Sequence, residues 1–356
     1  MKNWKKTVGI VLFVLLNVAV ISVTAFSEFG NSENAAGLSE VKLNGWLLIP
    51  AAICFVVAIS FEILKYILMI RRLAVSEELS TKETKLARKN APKVARRTVL
   101  LGKYYDSVTP AAIGGQPFQI YYMRHHSGLP SGASTSIPIV GMIANQIGFL
   151  LVAIPCFVFS GIAYSKPALI VTAWIGLLFY AFWPVMVAGV SFFPKATTKF
   201  LKFIVKIFAK IRIIKNRDKV LNGIEREVGE YAKSVKLIMK TRGLFFQVIG
   251  LSVLFNVLVA AIPFFVLTAF GGNIGFIECL VLTVAVMSAV YFIPTPGNAG
   301  AAEGTFFMVF SSLSSGYVFW AMLLWRFFSY YIYIIMGPII YFMMHLEKKR
   351  GEKKDV

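Results

Sequence analysis

Charge is scarce in this sequence. Asp, Glu, Lys and Arg make up 15% of its 356 residues, where an average soluble domain carries about 25%. Acidic residues are scarcest, 17 against 37 basic ones, and there are three histidines and three cysteines. Cys54, Cys156 and Cys279 each sit inside an apolar run with no close partner. That spacing argues against a disulfide framework or a thiolate metal site, and small buried hydrophobes are the better reading. Several signatures are also missing: no G-x-x-x-x-G-K-[ST], no H-E-x-x-H, no C-x-x-C and no G-x-S-x-G. The usual phosphate cradle, zinc-peptidase helix and nucleophile elbow are therefore not indicated. No soluble stretch is long enough for a phosphorylatable pump domain. Neither a cofactor nor a metal is expected.

What the chain has is hydrophobicity. It is 57% apolar with a mean hydropathy of +0.71, and several runs reach the ~20 residues that cross a bilayer. The pattern predicts an all-α polytopic membrane bundle, one domain over residues 1–356, with about eight crossings and a broken or re-entrant helix in each half. The net charge of +20 could suggest nucleic acid, but the basic residues collect between apolar runs, as cytoplasmic loops do. Nucleic-acid binding would instead place them on a soluble face.

Taken in order, residues 8–26 follow three lysines and read as a retained first span with a cytoplasmic N-terminus. The apolar run exceeds the usual signal-peptide core of ~7–15 residues. Residues 27–44 fit an outside loop. Span two covers 46–70, and its Glu62 and Lys65, three apart, share a helix face; an interfacial pair near the cytoplasmic end is the expectation. Residues 71–98 hold nine Lys/Arg and read as a partly helical cytoplasmic loop. Residues 100–124 are apolar but broken by Pro110, Gly114, Gly115 and Pro117, as in a re-entrant helix. His125 and His126 cannot share a helix face and read as headgroup-level surface. In span three (137–160), Asn145 and Gln146 are expected to hydrogen-bond between helices. Span four covers 168–193.

The loop 195–242 holds 14 Lys/Arg. Lys195, Lys199, Lys202, Lys206 and Lys210 recur at three- and four-residue steps opposite Phe200, Phe203, Ile204, Ile207 and Phe208. That is an amphipathic interfacial helix suited to anionic lipid. Spans at 243–270 and 274–293 follow, then a second broken segment, 291–314, and a last span over 316–342. An odd number of crossings would put the basic C-terminus outside, against the positive-inside rule. One broken segment should therefore complete a crossing, with 299–314 preferred and 100–123 the alternative.

The two breaks carry the candidate site. Backbone irregularity at membrane depth is tolerated only where it is buried or lines a wet cavity, and one such segment in each half points to a midplane binding site. Gly114, Gly115 and Gln116 mark the first. Pro294, Pro296, Gly297, Asn298 and Gly300 mark the second, followed by Glu303. Arg326, within the last span, is the natural counter-charge, since intramembrane charges usually pair. The helix starts after Gly115 and Gly297 should present N–H groups suited to a phosphate oxygen. Glu278 could lie deep or near the outer interface. Breaks and charges that merely lock helix packing are the rival reading.

The stretches TPAAIGGQPFQIYYMRHHSG (109–128), PTPGNAGAAEGTF (294–306) and WRFFSYY (325–331) resemble the flippase-like membrane domain of the lysylphosphatidylglycerol synthases, over about residues 5–345. In that family a further cytoplasmic domain transfers lysine from lysyl-tRNA to phosphatidylglycerol, and the membrane domain is thought to move the product outward, which resists cationic peptides. The chain is read as the translocating half without the lysyl-transferring domain. The resemblance thus implies a flippase for an anionic or lysylated phospholipid in a bacterial plasma membrane, both termini cytoplasmic, with Glu303 and Arg326 at the headgroup. Two other readings stand beside it: a phosphatidylglycerol lysyltransferase, or its membrane subunit working with a separately encoded synthetase, and a non-transporting scaffold. A homodimer is left open.

Overall fold

The computed structural model describes residues 43–76, 79–109, 112, 114–161, 167–210, 241–291, 293–313 and 317–352, with separate positions between 223 and 238. The expected first span, 8–26, lies outside the described residues. Among those described there is no strand, and the all-α expectation holds: five helices are long and apolar enough to cross a membrane. The chain is a multi-pass membrane protein.

Helix α1 (Leu48–Ser76) is followed by α2 (Thr81–Val108) and α3 (Gly115–His126). Helix α2 starts at a capping box in which the Glu83 N–H donates to Ser80 Oγ and the Ser80 N–H to Glu83 Oε2. That reciprocal arrangement satisfies two otherwise orphaned groups. The basic loop from Thr81 and the start of the first broken segment, as far as Val108, are thus one continuous helix that buries an Ala87/Ala91/Val94/Ala95/Thr98 face. Next come α4 (Ser131–Phe159), α5 (Pro167–Phe192) and α6 (Pro194–Lys210), then α7 (Arg242–Ala269), α8 (Phe276–Val290), α9 (Ala301–Phe310), α10 (Val318–Arg326) and α11 (Ile332–Glu352). A π-helical turn, Phe327–Tyr331, joins α10 to α11.

Two ends of the bundle can be told apart by contact. At one, the Asn44 N–H donates to Ala269 O, tying the start of α1 to the end of α7. Gly272, just past α7, lies against the Tyr317 hydroxyl at the start of α10. At the other, basic end, Lys93 and Arg97 of α2 bind Glu347 of α11 at 2.6 and 2.7 Å. Helices α2 and α3 pack together as a hairpin from the basic end. Helices α8 and α9 also pack together, and both open onto the opposite end, near Gly272 and Tyr317.

Residues 299–314 therefore return the chain to the side it came from; they do not carry it across, and neither do 100–123. The reason is length. Helix α9 has only 10 residues, about 15 Å at 1.5 Å per residue, half of a ~30 Å hydrocarbon layer.

The hairpins enter from opposite ends, and their turns are built alike. Each has Thr-Pro followed by Gly five residues after the Thr: Thr109 and Gly114, Thr295 and Gly300. In each, the N–H three residues on donates back to the Thr carbonyl, Ala112 to Thr109 at 3.2 Å and Asn298 to Thr295 at 3.1 Å. Those two donors are the described non-glycine residues with positive φ, +50° and +57°. The turn at 296–298 packs against α2, so the second hairpin's tip meets the helix that leads into the first. Opposed discontinuous helices meeting inside the bundle form the usual frame of a midplane site in transporters.

Candidate functional site

The tip of the second hairpin is fastened from several sides. The Gly300 N–H donates to Glu303 Oε2 at 2.7 Å, and Asn298 Nδ2 reaches back to Val290 O at 2.6 Å. Gly300 has φ +88° and Gly297 φ +57°, values that only glycine adopts without cost. Gly297 has a second reason to be glycine: a Cβ there would run into the Tyr330 ring.

Glu303 and Arg326 are both buried, at 1% and 4% exposure. Arg326 Nε donates to Glu303 Oε1 at 2.6 Å, and Nη2 donates to Gly297 O at 3.1 Å. The guanidinium also lies 4.4 Å from the Tyr330 ring centroid, within cation–π range. The pairing read from the sequence is therefore present. It links the hairpin tip to α10 at the point where the π-turn begins. Such turns occur often at functional sites, and nothing in the residue pattern signalled this one.

At the first tip, the Gly114 N–H donates to Thr109 Oγ1 at 2.8 Å and the Gly115 N–H to Asp106 Oδ1 at 2.9 Å. A Cβ on Gly115 would collide with the Asp106 carboxylate. The Gly114, Gly115 and Gly300 N–H groups at the two helix starts are thus occupied by the chain's own Thr109, Asp106 and Glu303. Asp106 and Thr109 are the site residues that sequence reasoning missed. A carboxylate three residues before Thr-Pro was the available signal.

The remaining candidates fall as follows. Gln116 is half-buried at the first tip and Pro294 is exposed beside the second; Pro296 lies within the second turn. Four buried polar atoms near these segments have no hydrogen-bond partner among the described residues: Gln116 Oε1, Thr295 Oγ1, Ser329 Oγ and Tyr331 OH. Buried polar atoms are almost always paired, so a cluster of exceptions calls for a water or a polar ligand. Glu278 is exposed in the first turn of α8, at the non-basic end, which resolves its placement. Lys195 and Lys199 are exposed on α6, with Phe200 and Phe203 also 62% and 59% exposed. Lys202 is half-buried there, and Lys206 and Lys210 lie on the same helix. No cluster of three metal-binding side chains occurs among the described residues.

Glu62 and Lys65 are not interfacial. Both are buried, Lys65 completely, and they form an ion pair at 2.8 Å. Lys65 Nζ also donates to Gly141 O, Asn145 Oδ1 and Ser252 Oγ at 3.1, 2.8 and 3.2 Å, while Asn145 Nδ2 donates to Glu62 Oε1 at 3.0 Å. This network ties α1 to α4 and α7. The i,i+3 spacing suggested a self-contained surface pair; the partners that draw it inward are far away in sequence. Gln146 bridges to Tyr291 OH at 2.9 Å, so both amides of α4 bond between helices, as expected.

The sequence has a match among known families. The family described as lysylphosphatidylglycerol synthase TM region matches residues 7–337. The chain belongs to that family. No curated protein and no solved structure matches it. The matched segment contains both hairpins, the Glu303–Arg326 pair and the Glu62–Lys65 network. The family is named for an aminoacylated phospholipid, so membrane lipid is the chemistry against which the site is to be read.

Proposed function

We propose that the protein translocates an anionic or lysylated phospholipid, such as lysylphosphatidylglycerol, across the bacterial plasma membrane, which would lower the cell's sensitivity to cationic peptides. The observation that carries this reading is the buried Glu303–Arg326 pair held at a broken helix tip. A lysylated headgroup offers two ammoniums and a phosphate. The phosphate would take Arg326 and one ammonium Glu303, so two ion pairs replace one, and the second ammonium would face the polar atoms beside the pair. Gln116, Thr295, Ser329 and Tyr331 would supply polar contacts from the surrounding segments. Hairpins entering from opposite ends allow the site to open to either side in turn. The termini would be cytoplasmic, with the basic end facing anionic lipid.

A second reading comes from the family's own description, which names a synthase: a membrane subunit that contributes to lysyl transfer only with a separately encoded synthetase. Proteoliposomes separate the two. Fluorescent lysylphosphatidylglycerol and phosphatidylglycerol, reconstituted with the protein alone, should change leaflet. Movement of neither, with lysyl transfer appearing on addition of a synthetase, would favour the second reading.

A further inference from the structure

Helix α3 presents an unassigned groove on the outside of the first hairpin. Its other faces are taken. Phe118 stacks on Tyr105 at 4.5 Å, and Gln119, Tyr122 and Met123 are buried, with Tyr66 OH donating to Gln119 Oε1 at 3.0 Å. The remaining side chains, Pro117, Ile120, Tyr121, Arg124 and His125, fall at helical spacing i, i+3, i+4, i+7 and i+8, which makes one stripe. With Ser131, the first residue of α4, they line an open surface groove of about 520 Å³.

The stripe is graded along its length. Pro117 and Ile120 lie toward the hairpin tip and are apolar. Tyr121, 58% exposed, follows at mid-length, and Arg124 and His125 stand at the basic end of the bundle. Arg124 donates to Ser131 Oγ, which holds the guanidinium across the gap between α3 and α4. His125 Nδ1 lies 2.7 Å from Tyr121 O and must donate to that carbonyl; its ring rests 4.3 Å from the Tyr121 ring. Nε2 is then turned away from the helix.

Apolar, then aromatic, then cationic is the order of a phospholipid from chain to headgroup. We propose that this groove binds one phospholipid with a net-negative headgroup at the basic end of the bundle. The phosphate lies between Arg124 and the Ser131 hydroxyl, Tyr121 and His125 sit beside it at the glycerol level, and an acyl chain runs over Ile120 and Pro117. The groove is on the outer face of the hairpin, apart from Glu303 and Arg326, and its occupancy does not depend on whether the protein moves lipid.

Native mass spectrometry of the delipidated protein in detergent tests this, with phosphatidylglycerol, phosphatidylcholine and inorganic phosphate as separate titrants. The wild type should bind its first phosphatidylglycerol at least fivefold more tightly than its first phosphatidylcholine. The double variant Arg124→Gln/His125→Gln should lose that preference. Ile120→Trp, which fills the groove without changing charge, should weaken the first phosphatidylglycerol as well. Equal affinity for the two lipids, an unchanged first-lipid affinity in both variants, or displacement of the lipid by inorganic phosphate would overturn the proposal.

Discussion

Arg326 is held at once by the Glu303 carboxylate and the Gly297 carbonyl, at 2.6 and 3.1 Å, which fastens the tip of the second hairpin to the last spanning helix. Removing either charge leaves the other buried and alone, which costs about 3–5 kcal/mol in comparable pairs. Glu303→Gln and Arg326→Gln should each lower stability by that order in a detergent unfolding titration. The double variant should lose clearly less than their sum, because it leaves no unpaired charge. Additive losses would mean that the two side chains do not interact.

Lys65 makes the same argument within α1. Its ammonium has four oxygen partners on three helices. Lys65→Met would strip Glu62 of its counter-charge and should cost about 3–5 kcal/mol, read as a lowered unfolding midpoint. Glu62→Gln/Lys65→Met should recover part of the loss. A Lys65→Met protein as stable as the wild type would refute the network.

The ion pairs of Glu347 give the contrast. Lys93 and Glu347 are about half exposed, and such pairs contribute about 0–1 kcal/mol. Glu347→Gln should shift stability by less than about 1 kcal/mol, and the shift should fade at high salt as the charges are screened. A loss as large as that of Lys65→Met would show that this contact is shielded from water.

Gly297→Ala places a Cβ against Tyr330 in a backbone conformation with φ +57°. The left-handed conformation alone costs an L-residue about 1–2 kcal/mol. The variant should therefore melt lower, and Tyr330→Ala in the same chain should relieve the collision while leaving the backbone cost. If Gly297→Ala melts like the wild type, the turn differs from the one described.

Much of this was legible in the residues, and the physical reason differs case by case. Glu303 and Arg326 could be paired on paper because a charge in an apolar run must find a counter-charge, and few were on offer. The two breaks were legible because Pro and Gly interrupt helices wherever they occur. The direction of the chain after Pro296 was not, since 10 apolar residues can either continue or return and only their contacts decide. Lys65 was misplaced because Glu62 satisfies it locally on paper, whereas Asn145 and Ser252 lie 80 and 187 residues away. Asp106 was not legible as a site residue, because its bond to the Gly115 N–H depends on how tightly the turn closes.

The central claim is that lipid crosses the membrane by way of Glu303 and Arg326. Its most direct test is leaflet exchange of fluorescent lysylphosphatidylglycerol in proteoliposomes, comparing the wild type with Glu303→Gln/Arg326→Gln, the variant that removes both charges together. The account predicts exchange in the wild type and at least a tenfold slower rate in the double variant at matched folded protein. Exchange at the wild-type rate without either charge would contradict it.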